Sequence, residues 1–151
     1  MIKYHQGDLF EHLPADKVSV VPHVCNNRNG FGRGFALVVS QKFPVVKEKY
    51  HLRPKELGHA YPVKANDNLI IFNMIAQNGY ITKNNPVPLD YLVLTKCLRK
   101  LHHLVNFIGP DHVKIIAPKF GSALAGGSWP VIEQMINNIF AKEEFNVFVL
   151  G

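Results

Sequence analysis

The chain has 151 residues, 47% of them hydrophobic, with 17 Lys and Arg against 11 Asp and Glu, a formal charge of +6. That length reads as one domain, residues 1–151, able to bury roughly two-thirds of its unfolded surface. No apolar run approaches the roughly 20 residues of a membrane span, and the opening MIKYHQGDLF lacks a signal peptide's apolar region, so no membrane partner and a cytoplasmic location are expected.

Residues 2–5 read as a short strand, and 18–24, β-branched and apolar, as a buried one. A helix is predicted over 35–42, stopping before Pro44. Strands follow at 59–63 and 69–75, with a turn at 65–68. Pro88 is expected to open a long helix. Leu94, Cys97, Leu98, Leu101, Val105 and Ile108 recur in it at helical spacing, and Gly109-Pro110 ends it. A strand at 113–117 precedes a helix capped by Ser128, with Pro130 in its first turn. Val131, Ile132, Met135, Ile136, Ile139 and Phe140 form that helix's apolar stripe, and 145–150 is the last strand. Strands alternating with helices predict an α/β fold: a mixed, largely parallel six-stranded sheet covered on both faces. Such sheets bind ligands at the carboxyl ends of their strands.

Two glycine-rich loops leave strand ends and enter helices. The first is CNNRNGFGRGF, residues 25–35, and the second GSALAGGSW, residues 121–129. Backbone N–H groups at a helix start are unpaired, and the helix dipole adds positive potential, so this arrangement suits phosphate. Glycine lets the backbone approach an anion closely. Each loop alone fits a tight turn equally well, while the two together favour a clamp on a diphosphate. Neither is a GxGxxG or GxxxxGK[ST] fingerprint. Asn26 and Asn27 are placed to hydrogen-bond sugar hydroxyls or to fold an Asx-turn. Asp8, after the first strand, suits either an adenine amino group or the N-cap of a turn through 10–12.

The basic balance also attracts anions, but Lys and Arg are scattered, which favours a small ligand over a nucleic-acid stripe. Cys25 and Cys97 lie far apart without metal-type spacing and read as free thiols in a reducing compartment. The eight histidines form no HxxxH or HExxH pair, so no metal and no cofactor is expected.

Six stretches, in order, carry a family likeness: QGDLF (6–10), HVCNNRNGFGRGFAL (23–37), FPVVKEKY (43–50), LGHAYPV (57–63), LIIFNMIAQ (69–77) and APKFGSALAGGSWPVIEQMI (117–136). Together they resemble the macro domain, the ADP-ribose-binding module. The details are most similar to the branch of ADP-ribose 1″-phosphate phosphatases and terminal ADP-ribose glycohydrolases, with single-domain phage and bacterial members. The resemblance implies that Asp8 and the Leu9 backbone meet adenine, and that Asn26 and Asn27 approach the distal ribose. It implies that Gly32, Arg33, Gly34 and Phe35 wrap one side of the diphosphate. Gly121, Ser122, Ala123, Leu124, Ala125 and Gly126 would wrap the other.

The chain departs from the family in three places. The widespread Asn-Ala-x-Asn start of the first loop is here Cys25-Asn26-Asn27-Arg28. The glycohydrolase branch's lysine and aspartate align with Gln77 and Ala125, and only Lys83, in YITK, restores the lysine under a shifted register. A neutral glutamine is no nucleophile, which counts against a lysyl adduct. What remains is a hydrolase of ADP-ribose derivatives such as ADP-ribose 1″-phosphate, or a non-catalytic reader of free ADP-ribose or ADP-ribosylated protein. Asn27 is the catalytic candidate, by orienting the ribose. Asn29 and Arg33 are candidates for a terminal phosphate, and His23 is a weaker one for general base, since a core histidine fits its strand position better. The sequence leaves open the role of residues 78–87, a polar segment beside the expected pocket, with a mobile cover over the distal ribose as one reading.

Overall fold

A computed structural model describes residues 1–150. Six strands form one sheet: β1 (Ile2–Gln6), β2 (Val18–Asn26), β3 (Ala60–Asn66), β4 (Leu69–Gln77), β5 (Val113–Ala117) and β6 (Phe145–Val149), in the order β1-β6-β5-β2-β4-β3. Every neighbouring pair is parallel except β3 with β4, which is an antiparallel hairpin. Four α-helices complete it: α1 (Gly34–Lys42), α2 (Pro44–Leu52), α3 (Tyr91–Ile108) and α4 (Trp129–Ile139).

The sheet is covered on both faces because successive strand residues point to opposite sides. Val20, Ile115 and Val147 pack with Leu94, Leu98 and Leu101 of α3 and Ile132 and Ile136 of α4. Their chain neighbours Val21, Ile116 and Phe148 pack on the other side, with Val39 of α1 and Val46 and Tyr50 of α2. Both faces being buried is what makes the central strands near-continuous apolar runs rather than alternating ones.

The expected mixed, largely parallel sheet is present, with several local differences. Helix α2 was not expected. Pro44 does end α1, but it also opens α2 from its first turn, where a missing N–H costs nothing. Helix α3 begins at Tyr91, not at Pro88. Asp90 caps it by accepting from the Val93 amide at 3.1 Å, and Leu89 is bridged to Gln77 instead. The 65–68 turn is tighter than predicted, since β3 runs on through Asn66. Ser128 is the N-cap residue of α4, yet its side chain makes no capping hydrogen bond, and Val131 of the predicted stripe is exposed.

Leu98, fully buried between α3 and the sheet, tests this packing. Leu98→Ala is expected to lower unfolding free energy by about 2–5 kcal/mol, read as a lower urea midpoint at unchanged slope.

Candidate functional site

The first glycine loop is folded around one side chain. Strand β2 slips register against β4 between Cys25 and Asn26. Beyond that, Asn26 Oδ1 accepts from the amides of Arg28 at 2.8 Å and Gly30 at 3.2 Å, while its Nδ2 donates to the Gly30 carbonyl at 2.8 Å. The Tyr50 hydroxyl, from α2, donates to the Asn26 carbonyl at 2.8 Å and lies 3.1 Å from its Oδ1. Phe31 then drops into the core against the Tyr50 ring, 4.8 Å between centroids. Asn26 is thus the hub of an Asx-type turn, and its hydrogen-bonding groups are engaged within the protein.

Past this anchor the backbone opens. A Cβ on Gly32 would meet nothing within 4 Å, and its φ is not left-handed, so glycine there leaves space rather than relieving strain. Gly34 has φ +55° and starts α1. Arg33 caps that helix in extended conformation with no side-chain hydrogen bond, so nothing covers the first-turn amides. The amides of Gly32, Arg33, Gly34 and Phe35 have no partner among the described residues. The same holds for Ala123, Leu124 and Ala125 in the second loop. That loop is pinned by the Gly127 amide on the Gly121 carbonyl at 2.8 Å and the Leu89 amide on the Ala125 carbonyl at 3.0 Å.

Because β2 and β5 are adjacent and parallel, the two loops face each other across one cavity of about 400 Å³. Its lining includes Gly32, Arg33, Gly34 and Phe35 from one loop and Gly121, Ala123, Leu124 and Ala125 from the other. The end of β2 adds His23, Val24, Cys25 and Asn26, the end of β4 adds Gln77, and the segment after it adds Tyr80 and Ile81. Arg33 and Lys119 are its cations, and no Asp or Glu lines it. Unpaired amides, two cations and no carboxylate make the cavity attractive to an anion.

Other expected residues lie elsewhere. Asn27 does not line the cavity; its Oδ1 accepts from the Gly79 amide at 2.9 Å and its Nδ2 donates to Asn78 at 3.0 Å. Its observed part is to hold the 78–87 segment. Ser122, whose hydroxyl donates to the Lys119 carbonyl at 3.0 Å, is outside the lining too. Gly126 is there for packing: at φ +71°, a Cβ would sit 2.5 Å from the Pro86 carbonyl oxygen. Asp8 caps the short helical turn Leu9–Glu11 by accepting from the Phe10 amide at 2.9 Å, and Leu9 is buried beneath it. Both stand at the carboxyl end of β1, away from the cavity lining. Asn29, with φ 63°, is held by His51 at 2.6 Å and is not in the lining. Lys83 sits in the exposed turn bridged between Thr82 and Asn85, so it does not take the place of Gln77 in the cavity wall. Phe31, Tyr80 and Lys119 were not anticipated. An aromatic between two glycines, Gly30 and Gly32, was the only local signal for Phe31.

His23 and Cys25 give the appearance of a nucleophilic pair, 3.7 Å apart, but their surroundings argue otherwise. Burial pushes the His23 imidazole down to about 4, against the opposing hydrogen bond that its Nε2 makes to Asn73 at 2.6 Å. Burial pushes the Cys25 thiol well above its ordinary range. A neutral histidine and a protonated thiol do not make a thiolate nucleophile. Among the described residues, no group of three His, Cys, Asp or Glu is placed to hold a metal ion.

No protein-family model matches the chain. It is 29% identical over 157 residues to the ADP-ribose 1″-phosphate phosphatase of Candida albicans, covering 99% of this chain and 100% of that protein. A protein of unknown function from Bacteroides thetaiotaomicron superposes with TM-score 0.87 at 29% identity, covering 100% of this chain and 98% of that one. A Streptomyces coelicolor macrodomain superposes with TM-score 0.81 at 24% identity over the full length of both.

Two outcomes test the site's construction. Tyr50→Phe is expected to lower stability by about 1 kcal/mol and to speed amide exchange at Arg28 and Gly30. His23 has a folded pKa below its unfolded value, so its contribution is complete above about 6.5 and is lost as pH falls toward 4. The decline of stability between those pH values is therefore expected to be shallower in His23→Gln than in the parent, by up to about 3 kcal/mol.

Proposed function

We propose that this chain, a macro domain, binds ADP-ribose and hydrolyses an ADP-ribose derivative such as ADP-ribose 1″-phosphate. The observation that carries the reading is the pair of facing loops whose unpaired amides border a cavity without carboxylates. The name of the Candida albicans relative, matched from end to end, supports the same substrate.

In this reading the diphosphate lies between 32–35 and 121–125, accepting from amides of both loops. Arg33, on the first loop, offsets its charge, and Lys119, just ahead of the second, adds positive potential from beside the Tyr4 and Trp129 rings. Asp8, with one carboxylate oxygen beyond the one that Phe10 occupies, accepts from the adenine amino group with Leu9 beside it. The terminal ribose reaches the end of β2 and the segment after β4. Hydrolysis of a phosphomonoester there needs a water in line with the leaving oxygen and donors to the phosphoryl oxygens. Positioning and N–H dipoles supply most of the rate, since no acidic side chain is at hand to act as base. Asn27 acts by holding Gly79 rather than by touching the ribose. Two buried free thiols, Cys25 and Cys97, support a reducing compartment such as the cytoplasm.

One observation favours a second reading, a reader of free ADP-ribose or ADP-ribosylated protein. Gln77 and Ala125, both buried in the cavity wall, stand where the resemblance calls for lysine and aspartate.

Calorimetric titration with ADP-ribose, with AMP and NAD as controls, and a phosphate-release assay on ADP-ribose 1″-phosphate separate these readings. Micromolar binding with turnover is expected, and binding without turnover would favour the reader. Gly32→Glu puts a carboxylate into the open space beside the loop and is expected to weaken ADP-ribose binding roughly 100-fold or more. Unchanged affinity in that variant would mean that this loop does not hold the diphosphate.

A further inference from the structure

The order of the strands sets a direction across the site. Their carboxyl ends place Asp8, after β1, on one side. The two glycine loops, after β5 and β2, come next, and the segment after β4 lies beyond them. A ligand with its adenine toward Asp8 and its diphosphate between the loops therefore ends against that segment, a placement that rests on the ADP-ribose reading.

The segment is built rather than loose. The Asn85 Nδ2 donates to the carbonyls of Asn78 and Tyr80, both at 3.0 Å. Gln77 Nε2 donates to the Gly79 carbonyl at 3.0 Å, and the Asn27 carboxamide holds the Gly79 amide from the other side at 2.9 Å. These contacts fix Tyr80, which lines the cavity. Its hydroxyl lies directly over Gly30, where any Cβ would overlap it. Gly30 has no left-handed φ, so the turn does not demand glycine there, and the space over it is what the Tyr80 hydroxyl occupies. That hydroxyl has no hydrogen-bond partner among the described residues, and Tyr80 as a residue is 43% exposed, so it is neither core nor cap.

We propose that the Tyr80 hydroxyl donates a hydrogen bond to the anionic group carried on the terminal ribose and so selects the 1″-phosphate over the bare sugar. A phenol donates without adding charge, so the donor would strengthen recognition of the phosphate monoester without tightening the hold on the hydroxyl product. Release of the product is then not slowed by the group that selected the substrate.

Tyr80→Phe keeps the ring and removes the donor. It is expected to raise KM for ADP-ribose 1″-phosphate roughly 10-fold, or its Kd where no product forms, and to leave ADP-ribose affinity within about two-fold. Gly30→Ala displaces the hydroxyl from the opposite side and is expected to reproduce the selective loss. The double variant is then expected to be no worse than either single one, because both remove the same contact. Equal loss for the two ligands, no loss for either, or additive losses in the double variant would overturn the proposal. Wild-type protein that fails to bind ADP-ribose would instead sink the reading beneath it.

Discussion

Backbone amides that make no hydrogen bond within the protein are left for water or a ligand, and a fold that holds two sets of them facing one another does so for a reason. Here the reason is geometric. Placing β2 and β5 side by side and parallel brings two strand-to-helix turns to the same edge of the sheet. Their open amides then border one space. Much of the surrounding structure serves to keep those turns open. Asn26, Tyr50 and Phe31 tie down the first loop on its far side, so that Gly32 and Arg33 are held without being covered. Gly127 on Gly121 and Leu89 on Ala125 do the same for the second.

The electrostatics follow from what is absent from the wall as much as from what is present. Among the residues bordering the cavity, the titratable ones are His23, Cys25, Arg33, Tyr80 and Lys119. Burial holds His23 neutral and Cys25 protonated at physiological pH, so the formal charge of the wall comes from Arg33 and Lys119. Such a wall favours a charged phosphate ester and supplies little acid–base chemistry. A reaction run there depends on alignment and fixed dipoles, which places the burden on rigidity. The 78–87 segment supplies part of that rigidity. Its role was open in the sequence, and in the structure it is cross-tied by Asn85, Asn27 and Gln77.

The parts of the fold that were legible in the sequence were those governed by local chemistry. Apolar β-branched runs marked the strands, and strict helical spacing marked α3 and α4. Pro44 misled, because proline is compatible with the first turn of one helix as readily as with the end of another, and the short α2 buries only Val46 and Tyr50. The glycine loops were legible as phosphate-type turns, but the individual glycines were not. Gly32 leaves room, Gly30 makes way for Tyr80, and Gly126 makes way for the Pro86 carbonyl, and only the neighbours in space tell these apart. Asn26 and Asn27 are adjacent and of the same type, yet one folds its own loop and the other reaches across to residues some fifty positions away. No local pattern distinguishes those fates. Tyr80 was hidden for the same reason: its partner in space, Gly30, belongs to a different strand's loop.

The most direct measurement is an amide nitrogen–proton correlation spectrum recorded during titration with ADP-ribose. If the facing amides hold the diphosphate, the largest shifts fall on 32–35 and 121–125 together, and the two sets move with one dissociation constant. Shifts confined to a single loop, or centred on the cavity beside Lys17, Lys114 and Lys142 at the other end of the strands, would contradict the account.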